Sequence, residues 1–310
     1  MKFFPEAGFR QMHNQTIMLL FHESVTEREI PSYRIWHCAQ IWQSLGFTVL
    51  IQRGCERGTR SDLVIPQIDL SVLPEEYRRL LAAKKLVVNR GVVDIRKSAF
   101  SRNLVTEDDA YAGPVIVKTD SNFGGRPERQ AVSRMALRRR IPLHFHGIAR
   151  VLRKIAVSGS LARLAYADFL DPHKYPVFSS KQDVPRGVFK NGSLVVEKFR
   201  PERESRFYFL RSYAFLGSEG LAVRTKSEHP VVKGAGGTDL EFVPVAESIL
   251  AMRHELGFDY GKFDYVMHEG EAVLLDINAT PTFGRAYAPD VRRKIAAQLA
   301  KGIGYWFPNA

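Results

Sequence analysis

The amino-acid sequence predicts a small α/β domain followed by a larger α+β domain. The first hundred residues alternate short apolar runs with segments of helical periodicity. Several apolar runs then follow one another, and the last two are joined by a tight polar turn at His268 to Glu271. Alternating strands and helices favour a small parallel sheet with helices on its faces. We place the boundary so that residues 1–105 form the first domain and residues 106–310 the second.

The composition is typical of a soluble globular protein. Of the 310 residues, 45% are hydrophobic and 25% are charged. No run approaches the roughly 18 apolar residues of a membrane helix, and the run from Ile17 to Phe21 is too short for a signal-peptide core. The two cysteines, Cys38 and Cys55, form no CxxC pattern. We therefore expect a reduced, cytoplasmic protein with no membrane partner.

The first domain has the pattern of a βαβ series. Helix 32–45 places Ile35, Cys38, Trp42 and Leu45 on one face, and Gly46 is positioned to end it. The sequence lacks a GxGxxG motif after the first strand, so it predicts no dinucleotide site there. The predicted elements are strands 16–21, 47–52, 62–65 and 86–89, and helices 32–45 and 74–84.

The second domain contains more strands and a strongly basic segment. A strand at 115–119, which includes Lys118, leads into a loop with Gly124 and Gly125, and a largely helical segment at about 126–160 follows. A Gly-rich loop, Lys233 to Gly237, lies further along the chain. The other predicted elements are strands 193–199, 207–215 and 220–225, helices 244–256 and 291–303, and the hairpin at 262–278.

The hairpin carries the most informative residues. Folding at the turn brings Asp264 close to Asp276, and Asp276 and Asn278 share one face of their strand because side chains alternate. Three oxygen ligands of this kind suit Mg²⁺ or Mn²⁺ bound to nucleotide phosphates. The alternative is that they are ordinary polar residues at strand ends, but an unpaired carboxylate within an apolar strand is costly.

This segment resembles the C-terminal metal-binding signature of the ATP-grasp superfamily, especially its RimK-like and glutathione-synthetase-like members. In that family an Asp on one strand and an acid-x-Asn on the next hold the Mg²⁺ of Mg-ATP; many members have Glu where this chain has Asp276. The resemblance implies a Rossmann-like pre-ATP-grasp domain followed by an ATP-grasp fold, with ATP between two α+β subdomains. It covers residues 97–310 in detail and the first domain only in pattern.

A strand holds a lysine rigidly, and glycines let backbone N–H groups approach phosphate oxygens. The resemblance accordingly implies that Lys118, Gly124 and Gly125 contact the nucleotide phosphates. A second phosphate-contacting lysine of the family matches Lys97, although Arg96 is a rival for that position. A lysine at a strand end can equally lie in solvent. We expect Lys118→Ala to weaken nucleotide binding and to leave the fold intact.

Residues 194–199 resemble the strand against which adenine lies in the family. The resemblance implies that Glu197 lies near the exocyclic amine, that Lys198 and Phe199 make backbone contacts with the base, and that Glu204 accepts hydrogen bonds from the ribose. The alternative is that this segment is an edge strand whose end is solvated and forms salt bridges.

Two arginines match family residues that face the triphosphate and the acyl phosphate. We expect Arg206 and Arg224 on neighbouring strands, because fixed cations stabilise a transferring phosphoryl group. Either could instead be a surface arginine. Close relatives carry an Asn and an Arg before the glycines of the loop at 233–237, whereas this chain has Val231, Val232 and Lys233, which leaves the acid substrate open.

The net charge of +12 is concentrated between Arg126 and Lys154, where nine basic residues face one acid. This field favours anionic substrates, and the run Arg138 to Arg140 is compatible with a nucleic acid, although a solvated basic face is more common. His144 and His146 lack the neighbours of a metal site, and we interpret them as part of a loop.

The sequence therefore predicts a ligase that activates a carboxylate with Mg-ATP and joins it to an amine. Two other classes remain open at this point. One is an ATP-dependent phosphotransferase on the same fold, and the other is a basic protein that binds RNA or another polyanion. The acid, the amine and the oligomeric state are not indicated by the sequence.

Overall fold

The structure is a computed structural model that describes residues 15–56, 60–139, 163–232, 240–284 and 287–308, with backbone only for 136–139. The first part contains a three-stranded parallel sheet in the order β2-β1-β3. Its elements are β1 (Thr16–Phe21), α1 (Arg34–Ser44), β2 (Thr48–Arg53), β3 (Leu63–Gln67) and α2 (Glu75–Ala82). Strand β1 is buried from its second residue onward, as expected for an apolar run at the centre of a parallel sheet.

The strand predicted at residues 86–89 is reduced to one bridge between Val64 and Val87. The backbone leaves the sheet at Asn89, which adopts a left-handed conformation with φ of 57°. The Asn89 amide then holds the chain at 259–260: its Oδ1 accepts hydrogen bonds from the N–H groups of Asp259 (2.8 Å) and Tyr260 (2.9 Å), and its Nδ2 donates to Tyr260 O at 2.7 Å. This side chain therefore fixes the start of the predicted metal hairpin against the first part of the chain.

A small antiparallel sheet follows, in the order β5-β4-β6. Its outer strand is covered, because Val105 N–H donates to Val196 O and Lys198 N–H donates to Asn103 O, both at 2.8 Å. The elements here are α3 (Lys97–Phe100), β4 (Val115–Thr119), α4 (Arg126–Arg139), β5 (Val177–Phe178), α5 (Arg186–Phe189) and β6 (Leu194–Lys198).

The remaining strands form a larger antiparallel sheet in the order β10-β9-β8-β11-β12, with β7 paired to β8. The hairpin turn between β11 and β12 lies where the sequence predicts it, at residues 269–270. The elements are β7 (Glu202–Glu204), β8 (Phe207–Leu216), β9 (Glu219–Ser227), β10 (Leu240–Val243), α6 (Glu247–Glu255), β11 (Tyr260–His268), β12 (Glu271–Asn278) and α7 (Pro289–Lys301).

The two faces of the larger sheet have different surroundings. On one face Tyr213, Phe263 and Tyr265 pack with Ile249 of α6 in an apolar core. On the other face Ser212 and Asp264 lie opposite each other, each one residue out of phase with the aromatic positions. The polar face therefore looks away from α6.

The largest apolar core crosses the boundary that we placed at residues 105 and 106. It joins Leu19 of β1 and Trp42 of α1 to Leu216 and Tyr260 of the larger sheet and to Leu299 of α7. The Trp42 indole N–H donates to Ala300 O at 2.8 Å. The first domain and the C-terminal helix thus pack together against the start of the hairpin at Tyr260.

Candidate functional site

A cleft with about 750 Å³ of empty space, open to solvent, lies between the two antiparallel sheets. Its apolar lining includes Ile116, Leu210, Val232 and Leu275. The charged groups that line it are Lys97, Lys118, Lys198, Arg200, Asp264 and Asp276. The cleft thus combines apolar walls with several cations and two carboxylates.

Lys118 enters the cleft from β4 and is almost fully buried. Its Nζ lies 2.6 Å from Oε2 of Glu197 on the paired strand β6. The Ser101 hydroxyl donates a hydrogen bond to the same carboxylate. The Lys118 ammonium is therefore held in place by a buried ion pair and is not a solvated strand-end lysine.

Lys97 lies at the first position of α3 and is only 2% exposed. Its Nζ is 3.5 Å from Oδ1 of Asp276 and 3.4 Å from the carbonyl oxygen of Ser121. Arg96, the rival for the same role, is bonded to Asp94, with Nη2 and Oδ2 2.6 Å apart. The structure thus places Lys97 in the cleft beside a hairpin carboxylate, whereas Arg96 does not line the cleft.

Asp264 and Asp276 are direct partners in the β11–β12 ladder, and a bulge follows at Leu275. Asp264 accepts hydrogen bonds from the Ser212 hydroxyl, at 2.5 Å, and from the Lys262 ammonium. Two lysines, Lys262 and Lys97, therefore offset the charge of the two carboxylates in this structure. Both carboxylates are brought together, as the hairpin pattern predicts.

The side chain of Asn278 points towards the residues that follow β12 in the chain. Its Oδ1 accepts a hydrogen bond from Thr280 N–H at 2.8 Å and lies 3.3 Å from Thr280 Oγ1. Two carboxylates and one amide oxygen are hard oxygen donors, so the set fits Mg²⁺ chemically. No group of three His, Cys, Asp or Glu side chains within the described ranges could hold a metal ion by itself, so the amide oxygen is needed to complete a protein ligand set.

Strand β6 does not offer the backbone contacts that we expected. The N–H groups of Lys198 and Phe199 donate to Asn103 O and Pro114 O at 2.8 Å. The Glu197 carboxylate is buried against Lys118 instead of facing open space. Lys198 and Phe199 do line the cleft, together with Arg200 and Pro201. The segment just after β6 is therefore the part of this region that borders the cleft.

Gly124 and Gly125 form a turn with φ values of +72° and +73°. A Cβ atom on Gly124 would lie 2.3 Å from the carbonyl oxygen of Leu170, so only glycine fits there. Gly124 permits close packing against residues 168–170, a role that we did not predict from the sequence. Neither glycine lines the cleft.

The two predicted catalytic arginines do not enter the cleft. Arg206 is exposed and precedes β8, so it does not lie on a strand, contrary to our prediction. Its guanidinium lies 4.8 Å from the Phe207 ring centroid. Arg224 is on β9, but it shares a sheet face with Arg211 and Tyr265, opposite to Ser212 and Asp264. Side-chain alternation along the paired strands therefore separates Arg224 from the carboxylates.

Arg224 instead belongs to a buried ion cluster centred on Glu202. The Glu202 carboxylate accepts hydrogen bonds from Arg211 Nε (2.9 Å), Arg224 Nε (2.8 Å) and Met267 N–H (2.8 Å). Burial raises the pKa of Glu202, but the Arg211 hydrogen bond and the other donors outweigh it and lower the pKa overall. Glu204, the predicted ribose acceptor, is 62% exposed and is paired with Arg224.

Three residues that contact Asp264 or line the cleft are absent from our sequence prediction. Lys262 precedes Asp264 by two residues, so strand alternation alone could have placed it on the same face. Ser212 and Tyr175 reach the site through pairing and packing that no local pattern indicates. Burial raises the pKa of Tyr175 to about 12, which keeps its hydroxyl protonated.

The described arginine side chains of the basic segment contact other residues of the protein. Arg126 stacks on Phe123 and Arg129 on Phe169, with 5.1 Å and 4.5 Å to the ring centroids. Arg134 forms a two-pronged pair with Glu29, both contacts at 2.8 Å. The side chains of residues 138–140, the pair His144 and His146, and the loop 233–237 lie outside the described residues. Within the described ranges, no helix is long and apolar enough to span a membrane.

Comparison with solved structures shows a similar fold over nearly the whole chain. A D-alanine–D-alanine ligase from Bacillus anthracis aligns with a TM-score of 0.51 at 10% identity, covering 96% of this chain and 97% of that one. A RimK domain ATP-grasp protein from Sphaerobacter thermophilus aligns with a TM-score of 0.46 at 10% identity, covering 93% and 99%. D-alanyl-alanine synthetase A from Vibrio cholerae gives 0.46 at 10% identity, covering 96% and 98%.

No protein-family model matches the chain, and no curated protein matches it in sequence. The similarity is therefore one of architecture, and at this identity it carries no residue-by-residue correspondence. The cleft and the acidic hairpin are the features that the sequence resemblance implies. The chain has the ATP-grasp fold.

Proposed function

We propose that this protein is an ATP-dependent ligase that activates a carboxylate as an acyl phosphate and joins it to an amine. In the first step a carboxylate oxygen attacks the γ-phosphorus of ATP and ADP leaves. In the second step the amine nitrogen attacks the acyl carbon and phosphate leaves, while the nitrogen loses its proton to solvent or a nearby base. The products are an amide, ADP and phosphate.

The observation that carries this proposal is the cleft between the two sheets. Two buried lysines, Lys97 and Lys118, and two hairpin carboxylates, Asp264 and Asp276, line one space of about 750 Å³. A phosphate-binding site needs fixed cations, and a metal-nucleotide site also needs oxygen ligands of opposite charge. Apolar side chains on both sheets, such as Ile116 and Leu210, supply a wall for a base.

The residues have separate roles in this proposal. Asp264, Asp276 and Asn278 would hold Mg²⁺, which neutralises phosphate charge and orients the transferring group when it is bound. Lys97 and Lys118 bind phosphate oxygens and are pre-positioned by Asp276 and Glu197. Lys262 lies beside Asp264 and can face the carboxylate substrate or its acyl phosphate. Most of the catalysis is thus positioning and charge stabilisation.

An ADP-release screen tests the reaction class. Purified protein with Mg-ATP is offered pools of carboxylates, pools of amines, and both together. A ligase should release ADP faster with a carboxylate and an amine than with either pool alone, and mass spectrometry should detect an amide.

ADP release with a phosphorylated product and no amide would identify a phosphotransferase instead. The described arginines of the basic segment already have partners within the protein, which disfavours a role as a simple polyanion binder. Steep salt-dependent binding of RNA without ATP turnover would nevertheless support that alternative.

A further inference from the structure

A second cavity, with about 570 Å³ of empty space including its open mouth, lies between the first domain and α4. Its wall is mostly polar and includes His22, Tyr33, Asp69, Arg134 and Thr282. None of these residues lines the cleft between the two sheets. The cavity is therefore a separate space with its own chemistry.

Among the described residues, Arg134 is the one permanently charged cation on the cavity wall, and it is already paired. Arg134 donates to both oxygens of Glu29 at 2.8 Å and to the carbonyl oxygen of Ser24 at 2.9 Å. Burial raises the pKa of Glu29, but the hydrogen bonds from Arg134 outweigh this effect and lower the pKa to about 2. Burial lowers the pKa of His22, so its imidazole is neutral at physiological pH. The Glu29–Arg134 pair thus adds no net charge to the cavity.

Asp69 supplies an uncompensated negative charge. Its Oδ1 accepts a hydrogen bond from the Thr280 hydroxyl at 2.9 Å, and the described residues show no salt bridge from it to a cation. Burial raises the pKa of Asp69 to about 6, so the group is still mostly ionised at neutral pH. The local negative charge of Asp69 favours a cation in this cavity.

The cavity is connected to the proposed metal hairpin through one side chain. The Thr280 hydroxyl lies 2.9 Å from Asp69 Oδ1 and 3.3 Å from Asn278 Oδ1. Thr280 is almost completely buried, so this chain of contacts is fixed. A group bound to Asp69 is therefore held next to the end of the hairpin where the phosphoryl transfer is proposed to occur.

We propose that this cavity binds the amine substrate and that Asp69 holds the amine as its ammonium ion, whose nitrogen releases one proton to solvent before it attacks the acyl carbon as the neutral amine. The proposal rests on the ligase function proposed above and specifies one of its substrates: a small, positively charged amine. A metal ion is a weaker candidate, because no cluster of three His, Cys, Asp or Glu side chains in the described ranges is arranged for one. An anionic acceptor is disfavoured because Arg134 is already engaged by Glu29.

The test measures the affinity of propylammonium for the full-length protein by NMR titration, with 1-propanol as a neutral probe of matched size. The wild type should bind propylammonium more tightly than 1-propanol. Asp69→Asn should weaken propylammonium binding about tenfold or more, as expected for the loss of a charged hydrogen-bond partner. Glu27→Gln, which removes an exposed carboxylate outside the cavity, should leave this affinity unchanged.

Three results would each overturn the proposal. They are equal affinity of Asp69→Asn and wild type for propylammonium, tighter binding of 1-propanol than of propylammonium to the wild type, and no binding of propylammonium to the wild type. Asp69→Ser provides a second variant that removes the charge, for the case in which Asp69→Asn does not fold. Amide formation by the wild type in the ADP-release screen reports the ligase reaction separately. Failure of the amine proposal is thereby distinguished from failure of the proposed ligase function.

Discussion

Replacing Lys118 with alanine is expected to lower the free energy of unfolding by about 3–5 kcal/mol, the range for breaking a buried ion pair by removing one partner. The Glu197 carboxylate is 1% exposed and lies 2.6 Å from Lys118 Nζ, so it would be left with the Ser101 hydroxyl alone. The sequence alone led us to expect that this variant folds normally. The structure changes that expectation, because Lys118 is buried in an ion pair and does not lie at a solvated strand end. Chemical denaturation measures the change.

A double variant separates the structural role of Lys118 from nucleotide binding. Lys118→Met with Glu197→Gln removes both charges and keeps side chains of similar size, so most of the lost stability should return. Its affinity for ATP should nevertheless fall, whereas its affinity for adenosine should change less. Wild-type stability of Lys118→Ala would show that the ion pair does not form, and unchanged ATP affinity of the double variant would exclude the phosphate role.

Glu202→Ala is expected to destabilise the protein by a similar amount, about 3–5 kcal/mol. It removes the acceptor that Arg211, Arg224 and the Met267 N–H share, and it leaves two largely buried guanidinium groups with fewer partners. The lowered pKa of Glu202 means that this contribution is present above the unfolded value of 4.5 and is lost as the pH falls through the folded value. The stability gap between variant and wild type should shrink accordingly in acid.

Glu204→Ala is the matched control, because this residue also contacts Arg224 but is 62% exposed. An exposed pair of this kind contributes about 0–1 kcal/mol, so the variant should unfold close to wild type. If Glu204 accepts hydrogen bonds from the ribose, the control should lose ATP affinity while retaining stability. A large stability loss in Glu204→Ala, or none in Glu202→Ala, would contradict the ion cluster that we describe.

The elements with strong local signals could be predicted from the sequence. Strand β1 and strand β4 have the predicted limits, because each is a short apolar run with polar flanks. The hairpin turn at residues 269–270 is also where the polar residues indicate it. Strand alternation then brings Asp264 opposite Asp276 in the observed ladder. These features depend on residues close together in sequence.

The errors share a different cause, which is long-range pairing. Arg224 shares a face with Arg211, and only the pairing of β8 with the distant strand β11 places that face opposite to Asp264. The N–H groups of Lys198 and Phe199 are used by Asn103 and Pro114, which lie more than eighty residues away in the chain. Asp69 meets Thr280 only through the fold. No local pattern signals such contacts.

The most direct test of the account is the thermal stability of the protein with Mg-ATP, compared with ATP plus a chelator. At about a hundred times the dissociation constant, a bound ligand adds roughly 2.7 kcal/mol of stability. We predict a clear rise in melting temperature with Mg-ATP, a much smaller rise when the metal is chelated, and loss of most of that difference in Asp276→Asn. A wild-type-like response of Asp276→Asn, or no stabilisation of the wild type by Mg-ATP, would contradict the assignment of the cleft as a metal-nucleotide site.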